Sequence, residues 1–290
     1  MSVRNFVPEI WSSRLLVALR KNLVYAAPDV VNRDYEGDIS EAGDTVRITS
    51  VSRPAIGNYT PGSTTITPES LTTGQRTLVV DQSKYWAFAI DDVDARQARA
   101  NLIPQAMSEA AYGLADVVDQ YVAGLYTATQ TANVATAVTI DLSSPTDAAA
   151  ENAKVYNDVL VPLKVKLDEA NVPTQGRYVV IPPWVHGVLL RDSRFIKVNE
   201  SGTTDGLRNG MVGRAAGFDI LLSNNVPNPT GTSYVVTAGT NAAITFAEQI
   251  NKTEAYRPES SFSDAVKGLA LYGAKVVRPD CLAYCTVTSS

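Results

Sequence analysis

Three carboxylates stand within four positions in KYWAFAIDDVDARQARANLIPQAM: Asp91, Asp92 and Asp94. Such a group could hold a metal ion, work as an acid/base pair, or cap a helix. A metal site needs further ligands converging from elsewhere. The chain has a single histidine, His186, and neither HExxH nor EF-hand spacing to supply them. Capping accounts for all three: Asp91 or Asp92 stands where an extended segment gives way to a helix and can accept its orphan N–H groups, and Asp94 adds charge in the first turn.

The other chemistry-bearing residues are equally plain. His186 lies among Trp184, Val188 and Leu189 with no Ser or Cys nucleophile suggested by spacing, and reads as a packed or surface histidine. Cys281 and Cys285 lack the two further ligands zinc needs and read as small apolar residues of a strand in a reducing compartment. Gly210, Gly213 and Gly217 match neither GxGxxG nor GxxxxGK[ST], so tight packing and helix termination explain them. The expectation is no enzyme, no cofactor and no metal.

Composition limits what remains. A chain of 290 residues, 45% hydrophobic, can bury a substantial core. Its net charge of −5, with scattered basic residues, argues against a protein whose main affinity is for phosphate backbones. No apolar run approaches the roughly 20 residues of a membrane span, and no leader-like core opens the chain, so a soluble protein made without export is expected.

The elements that position these residues follow from periodicity. FVPEIWSSRLLVALRKNLVY predicts a helix with Trp11, Leu15, Ala18 and Leu19 on one face and Arg14, Arg20 and Lys21 on a basic side. That basic side fits a membrane or a nucleic acid, or simply complements the helix dipole. DTVRITSV alternates as a half-buried strand, and a Thr-, Ser-, Gly- and Pro-rich stretch follows. Alternation resumes from Arg76, with Trp86, Phe88 and Ile90 on one face and Tyr85, Ala87 and Ala89 on the other. The two strands predict an extended hairpin over residues 43–90. A two-stranded ribbon is marginal alone, so it packs either on its own domain or on a neighbouring subunit.

Beyond it, Met107, Ala110, Ala111, Leu114, Val117, Val118, Tyr121, Val122 and Leu125 recur at helical spacing after Pro104, predicting a helix about 30 Å long at 1.5 Å per residue. TATQTANVATAVTIDLSSPTDAAAENA is expected to be a connection. KVYNDVLVPLKVKLDEANVP predicts a helix kinked at Pro162, GRYVVIPP a buried strand, and WVHGVLLRD a short helix. GLRNGMVGRAAGFDILLSNNVP adds a turn or helix ended by Gly217 and another strand. Strand-like runs at residues 243–247, 269–277 and 282–287 close the chain, with EAYRPESSFSDAVKG as a polar turn between the first two. The class is α+β with discontinuous parts.

In their order and spacing, FVPEIWSSRLLVALRKNLV, the hairpin from GDTVRI through SKYWAFAIDDVDARQA, VPLKVKLDEANVPTQGRYVVIPPWVHGVLL with RDSRFI, NGMVGRAAGFDILLSNNVP and YRPESSFSDAVKGLALYGAKVVRPDCL resemble the major capsid (coat) proteins of tailed bacteriophages, with their Hong Kong 97-like fold. The resemblance spans essentially the whole chain and rests on no single motif. It implies an N-terminal arm (1–42), an extended loop (43–90) reaching onto an adjacent subunit, a peripheral domain built on a spine helix (91–130 and 241–265), and a compact axial α/β domain (131–240 and 266–290). It implies a virion shell of hexamers and pentamers, assembled in the host cytoplasm and enclosing double-stranded DNA non-specifically. A portal, a decoration protein and, because the arm follows Met1 directly, a separate scaffolding protein are the implied partners, with no membrane. Trp11, Arg14, Arg53, Tyr59, Arg76, Lys84 and Trp86 become candidates for inter-subunit contact. Some members link a Lys to an Asn covalently; Lys84, the only ribbon lysine, lies at its base, so no such link is expected. A cellular shell of the same fold, an encapsulin enclosing enzymes, is the alternative, and another phage structural component is a more distant one.

Overall fold

The computed structural model describes residues 24–34, 45–51, 54–58, 60–62, 70, 73–91, 102–142, 148–192, 194, 213–259 and 263–290. Among them the strands form three sheets. β1 (Thr45–Val51) and β2 (Thr73–Val79) form a two-stranded antiparallel ribbon, registered from Thr45 opposite Val79 to Val51 opposite Thr73. β3 (Gln82–Asp91), β9 (Ile244–Tyr256) and β10 (Ser263–Val276) make a three-stranded sheet with β10 in the middle. The third sheet has six strands in the order β4-β11-β8-β5-β7-β6. These are β4 (Val138–Ile140), β5 (Arg177–Ile181), β6 (Arg214–Ala215), β7 (Phe218–Leu222), β8 (Ser233–Thr240) and β11 (Leu282–Ser289).

The expected hairpin is therefore shorter than its sequence pattern. Its second strand ends at Val79, and β3 leaves the ribbon to pair with β10 over ten rungs, from Gln82 opposite Tyr272 to Asp91 opposite Ser263. The reason lies in the aromatic face of β3. Trp86 and Phe88 stack at 5.7 Å, and the indole lies over Gly268, directly across the ladder, where any Cβ would collide with its ring. Only a bare backbone leaves room for that cover, and β10 offers one at Gly268.

The long helix, Leu102–Ala123, begins two residues before Pro104. Met107, Ala111, Leu114, Ala115, Val118 and Val122 are buried at three- and four-residue spacing, while Val117, expected in the stripe, is 39% exposed on the other side with Tyr112. A 3₁₀ stretch, Gly124–Ala128, follows.

The segment expected to be a connection is a working part of the six-stranded sheet. β4 pairs in parallel with β11, and the Asn133 amide donates to the carbonyls of Asp280 (2.7 Å) and Leu282 (3.1 Å). Its small polar residues hide this, because the strand contributes one fully buried side chain, Ile140, with Val138 half-buried beside the core. The next helix runs Ala148–Lys154, widens to π geometry over Val155–Leu160 and resumes as Val161–Glu169. Pro162 lacks the N–H a regular helix needs and its ring crowds the preceding turn; the wide turn in front of it is the form the expected kink takes.

β5 is buried at every residue and runs parallel to β7 and antiparallel to β8, with the short helix Pro183–Leu189 after it. Ala216 (φ 50°) and Gly217 (φ 84°) form a two-residue connection between β6 and β7, the left-handed geometry that a tight hairpin requires. β9 and β10 also exceed expectation: Glu254–Tyr256 and Ser263–Gly268, expected to be a polar turn, are paired strand, Ser263 and Asp264 with β3 and the rest with each other as well. Their polarity reflects a sheet face open to water, where alternate positions carry charge.

One continuous apolar core runs from the long helix through the six-stranded sheet. A separate small cluster, Leu78, Val80, Ala247 and Leu271, sits where the ribbon meets the three-stranded sheet.

Candidate assembly surfaces

Among the described residues no three His, Cys, Asp or Glu side chains gather as a metal site, and no helix is long and apolar enough to cross a membrane. His186 is half-buried, and burial lowers its pKa. The two thiols are buried and unpaired; burial raises Cys281 and pushes Cys285 up to about 12, and the Cys285 thiol points at the carbonyl of Thr136 (3.2 Å). Neither is a ready nucleophile at neutral pH.

What the described surface does offer is shape. At the base of the ribbon, Leu78 and Val80 are buried against Ala247 and Leu271, and the backbone of Val79 and Val80 crosses β10 at Gly273. A Cβ at Gly273 would collide with the Val79 carbonyl and come within 2.9 Å of the Val80 Cα. Three residues further along β10, the Arg76 guanidinium donates to the Val276 carbonyl at 3.2 Å. The ribbon therefore leaves past the C-terminal end of β10, while β3 runs back toward its beginning. Gly74, Gln75, Arg76 and Thr77 are exposed, as are the described tip residues. Among those, Ile56 is 92% exposed, between Pro54, Gly57, Pro61 and Gly62.

The outer face of the three-stranded sheet is a second surface. Tyr85 (83% exposed) stands opposite Leu269 (37%), and Tyr256 (45%) opposite Ala265. Lys267 pairs with Glu254 at 3.1 Å and lies 5.1 Å from the Tyr256 ring centroid.

The residues singled out from sequence fall as follows. Arg76 and Lys84 are exposed; Trp86 is half-buried over Gly268. Asp91 is the last residue of β3, opposite Ser263. Trp11, Arg14, Arg53, Tyr59, Asp92 and Asp94 lie outside the described residues, as does Gly210, while Gly213 is exposed just before β6.

Sequence reasoning missed the two glycines of β10, Ile56 at the ribbon tip, and buried charged residues, among them Arg177 and Asp119. Arg177, 2% exposed, meets the Asp168 carboxylate at 2.7 Å and donates to the carbonyls of Val172 and Pro173. Asp119, also 2% exposed, is a carboxylate within the apolar stripe of the long helix. A charge inside a helical stripe was the available signal, since a buried carboxylate must be partnered.

Comparison with known proteins accounts for these surfaces. No curated protein sequence matches. Among solved structures, a Mycobacterium phage Che8 chain is 28% identical, with 98% of each chain covered and a TM-score of 0.71. The capsid of cyanophage P-SCSP1u (20% identity, 87% of this chain and 85% of that one, TM-score 0.68) and the mature capsid of bacteriophage PhiM1 (17%, 84% and 82%, 0.68) share the fold. The phage capsid protein family model matches residues 75–285, which disfavours the encapsulin alternative. The chain belongs to the phage capsid protein family: it is a shell-forming major capsid protein with the Hong Kong 97-like fold, a structural protein and not an enzyme.

Proposed function

We propose that the subunit closes an icosahedral, DNA-containing shell by laying its ribbon on a sister molecule. The observation that carries this is how little of the ribbon is buried: among its described side chains Leu78 is buried and Ile48 half-buried, Gly74 to Thr77 are exposed, and the tip presents Ile56 to water. A two-stranded ribbon of seven-residue strands gains too little from its own ladder to hold one shape. An exposed aliphatic residue at the end of a polar ribbon suits an anchor, because the centre of an interface is where apolar burial contributes most. The exit of the ribbon past the end of β10 points it away from Tyr85 and Leu269 of the same chain, so contacts of this kind join unlike surfaces of two copies and propagate around a ring.

In this reading residues 1–42 are the arm, residues 91–130 and 241–265 the peripheral domain built on the long helix, and residues 131–240 and 266–290 the axial domain around fivefold and sixfold positions. Hexamers and pentamers assemble in the host cytoplasm with a separate scaffolding protein and a portal, enclose double-stranded DNA without sequence preference, and present an outer surface to a decoration protein. Many standard-size contacts, about 800 Å² per partner, make such a shell stable while each stays reversible.

Electron microscopy and sedimentation of the full chain, expressed with and without scaffolding protein, test the ribbon. Ile56→Asp, and replacement of residues 54–62 by a Gly-Ser linker, are expected to leave soluble subunits with unchanged thermal unfolding and few or no closed shells. Shells at the parent yield from both variants would overturn the proposal.

A further inference from the structure

Asp119 joins three distant parts of the chain through one carboxylate. Its Oδ1 accepts the backbone N–H groups of Val24 (2.9 Å) and Tyr25 (2.6 Å), and its Oδ2 accepts the side-chain amide of Asn225 (3.0 Å). Both ends of this link are built in. The Tyr25 side chain, 2% exposed, is buried beside Thr237 of β8 and Tyr178 of β5, and burial raises its pKa far above the usual phenol range. Seven residues on, Asn32 exchanges hydrogen bonds with β9, donating to Ile244 (2.8 Å) and accepting from Phe246 (2.9 Å). Asn225 in turn donates its backbone N–H to the Ser223 hydroxyl (3.0 Å), and the Ser223 N–H bonds the carbonyl of Ile181 (3.2 Å), so the amide stands on the C-terminal ends of the parallel strands β5 and β7.

One oxygen of a buried charge thus serves the root of the N-terminal segment, and the other serves the six-stranded sheet. A carboxylate out of water accepts charge-assisted bonds on both oxygens, and the loss of either set leaves part of the charge without a donor. The two ends are then energetically coupled, and the coupling acts equally in both directions.

We propose that Asp119 is a positioning residue that couples the Val24–Tyr25 segment to the six-stranded sheet: displacing the Asn225 loop loosens that segment, and holding the segment secures the loop. In a shell, this joint lets a contact made by one part of a subunit condition a contact made by another. The coupling lies within one chain and does not depend on where the ribbon lands.

Amide hydrogen exchange at Val24 and Tyr25, with the rate of trypsin cleavage after Lys21, measures it on the full-length subunit. Asn225→Ala touches neither amide, yet it is expected to raise both rates about tenfold, within the range of ordinary coupling. Asp119→Asn should do at least as much. The double variant Asp119→Asn/Asn225→Asp exchanges donor and acceptor: residue 119 keeps a carbonyl oxygen for the backbone amides and gains an N–H for the new carboxylate. It is expected to return both rates to within about threefold of the parent, which a general loss of stability would not do. Unchanged exchange at Val24 and Tyr25 in Asn225→Ala, or a double variant no better protected than Asp119→Asn, would overturn the coupling. Should Asp119→Asn fail to fold, Asn225→Ala alone decides.

Discussion

The ribbon and the six-stranded sheet are built from comparable strands and solve opposite problems. β5 is buried at every residue, with parallel and antiparallel neighbours on either side and helices packed near it. Among the described side chains of β2 only Leu78, where the strand crosses the three-stranded sheet, is buried, and Gly74 to Thr77 are exposed. The first region carries its folding free energy inside one chain. The second keeps its base there, and in the proposed assembly another molecule completes the rest. A shell subunit needs both, since a rigid body fixes geometry and an unfinished limb makes association favourable.

The comparison can be broken where it is strongest. Leu163, fully buried beneath the six-stranded sheet, should cost about 2–5 kcal/mol as Leu163→Ala in urea unfolding of the lone subunit. A much smaller loss would mean that this body is not self-sufficient. Next comes the seat of the ribbon. Gly273→Ala sets a Cβ against the backbone of Val79 and Val80, which cannot swing aside, and should cost about 1–3 kcal/mol with a clear loss of shells. Gly268→Ala meets the Trp86 ring, a side chain that can tilt, and should cost less. The reverse order would show that the aromatic cover, and not the crossing, fixes the ribbon's origin.

The smallest effect is electrostatic. Hydrogen bonding from Arg177, helped by Lys164, holds the Asp168 carboxyl below its ordinary range. A depressed native pKa contributes stability above the unfolded value, roughly pH 4, and loses it as pH falls through the native one. The urea midpoint of the subunit should therefore drop more steeply on acidification in the parent than in Asp168→Asn. Because the Asp168 side chain is 40% exposed, the difference should be modest. Parallel curves would show that Arg177 is held by the carbonyls of Val172 and Pro173 alone.

Sequence legibility followed the same divide. Where one residue's environment is set by neighbours three, four or two positions away, the pattern was readable: the buried stripe from Met107 to Val122, the uniform apolarity of β5, the turn at Gly217. Where the partner is remote, it was not. Nothing local tells that Trp86 needs Gly268, or that Asn133 supplies β11 with a buried amide. β9 and β10 read short because Glu254 and Lys267 interrupt the apolar run, although on an open sheet face they belong to it. Asp119 shows the limit from another side, since a charge in an apolar stripe announces that partners exist without naming Val24, Tyr25 or Asn225.

Arg76 and the carbonyl it grips are separated by 200 residues. At ordinary synthesis rates of about 5–20 residues per second, the ribbon leaves the ribosome roughly 10–40 s before the strand that seats it. A nascent or truncated chain therefore has the limb without its socket. It lacks the crossing at Gly273 and the Val276 carbonyl, so in the proposed assembly a seated ribbon marks a chain synthesised to the end of β10.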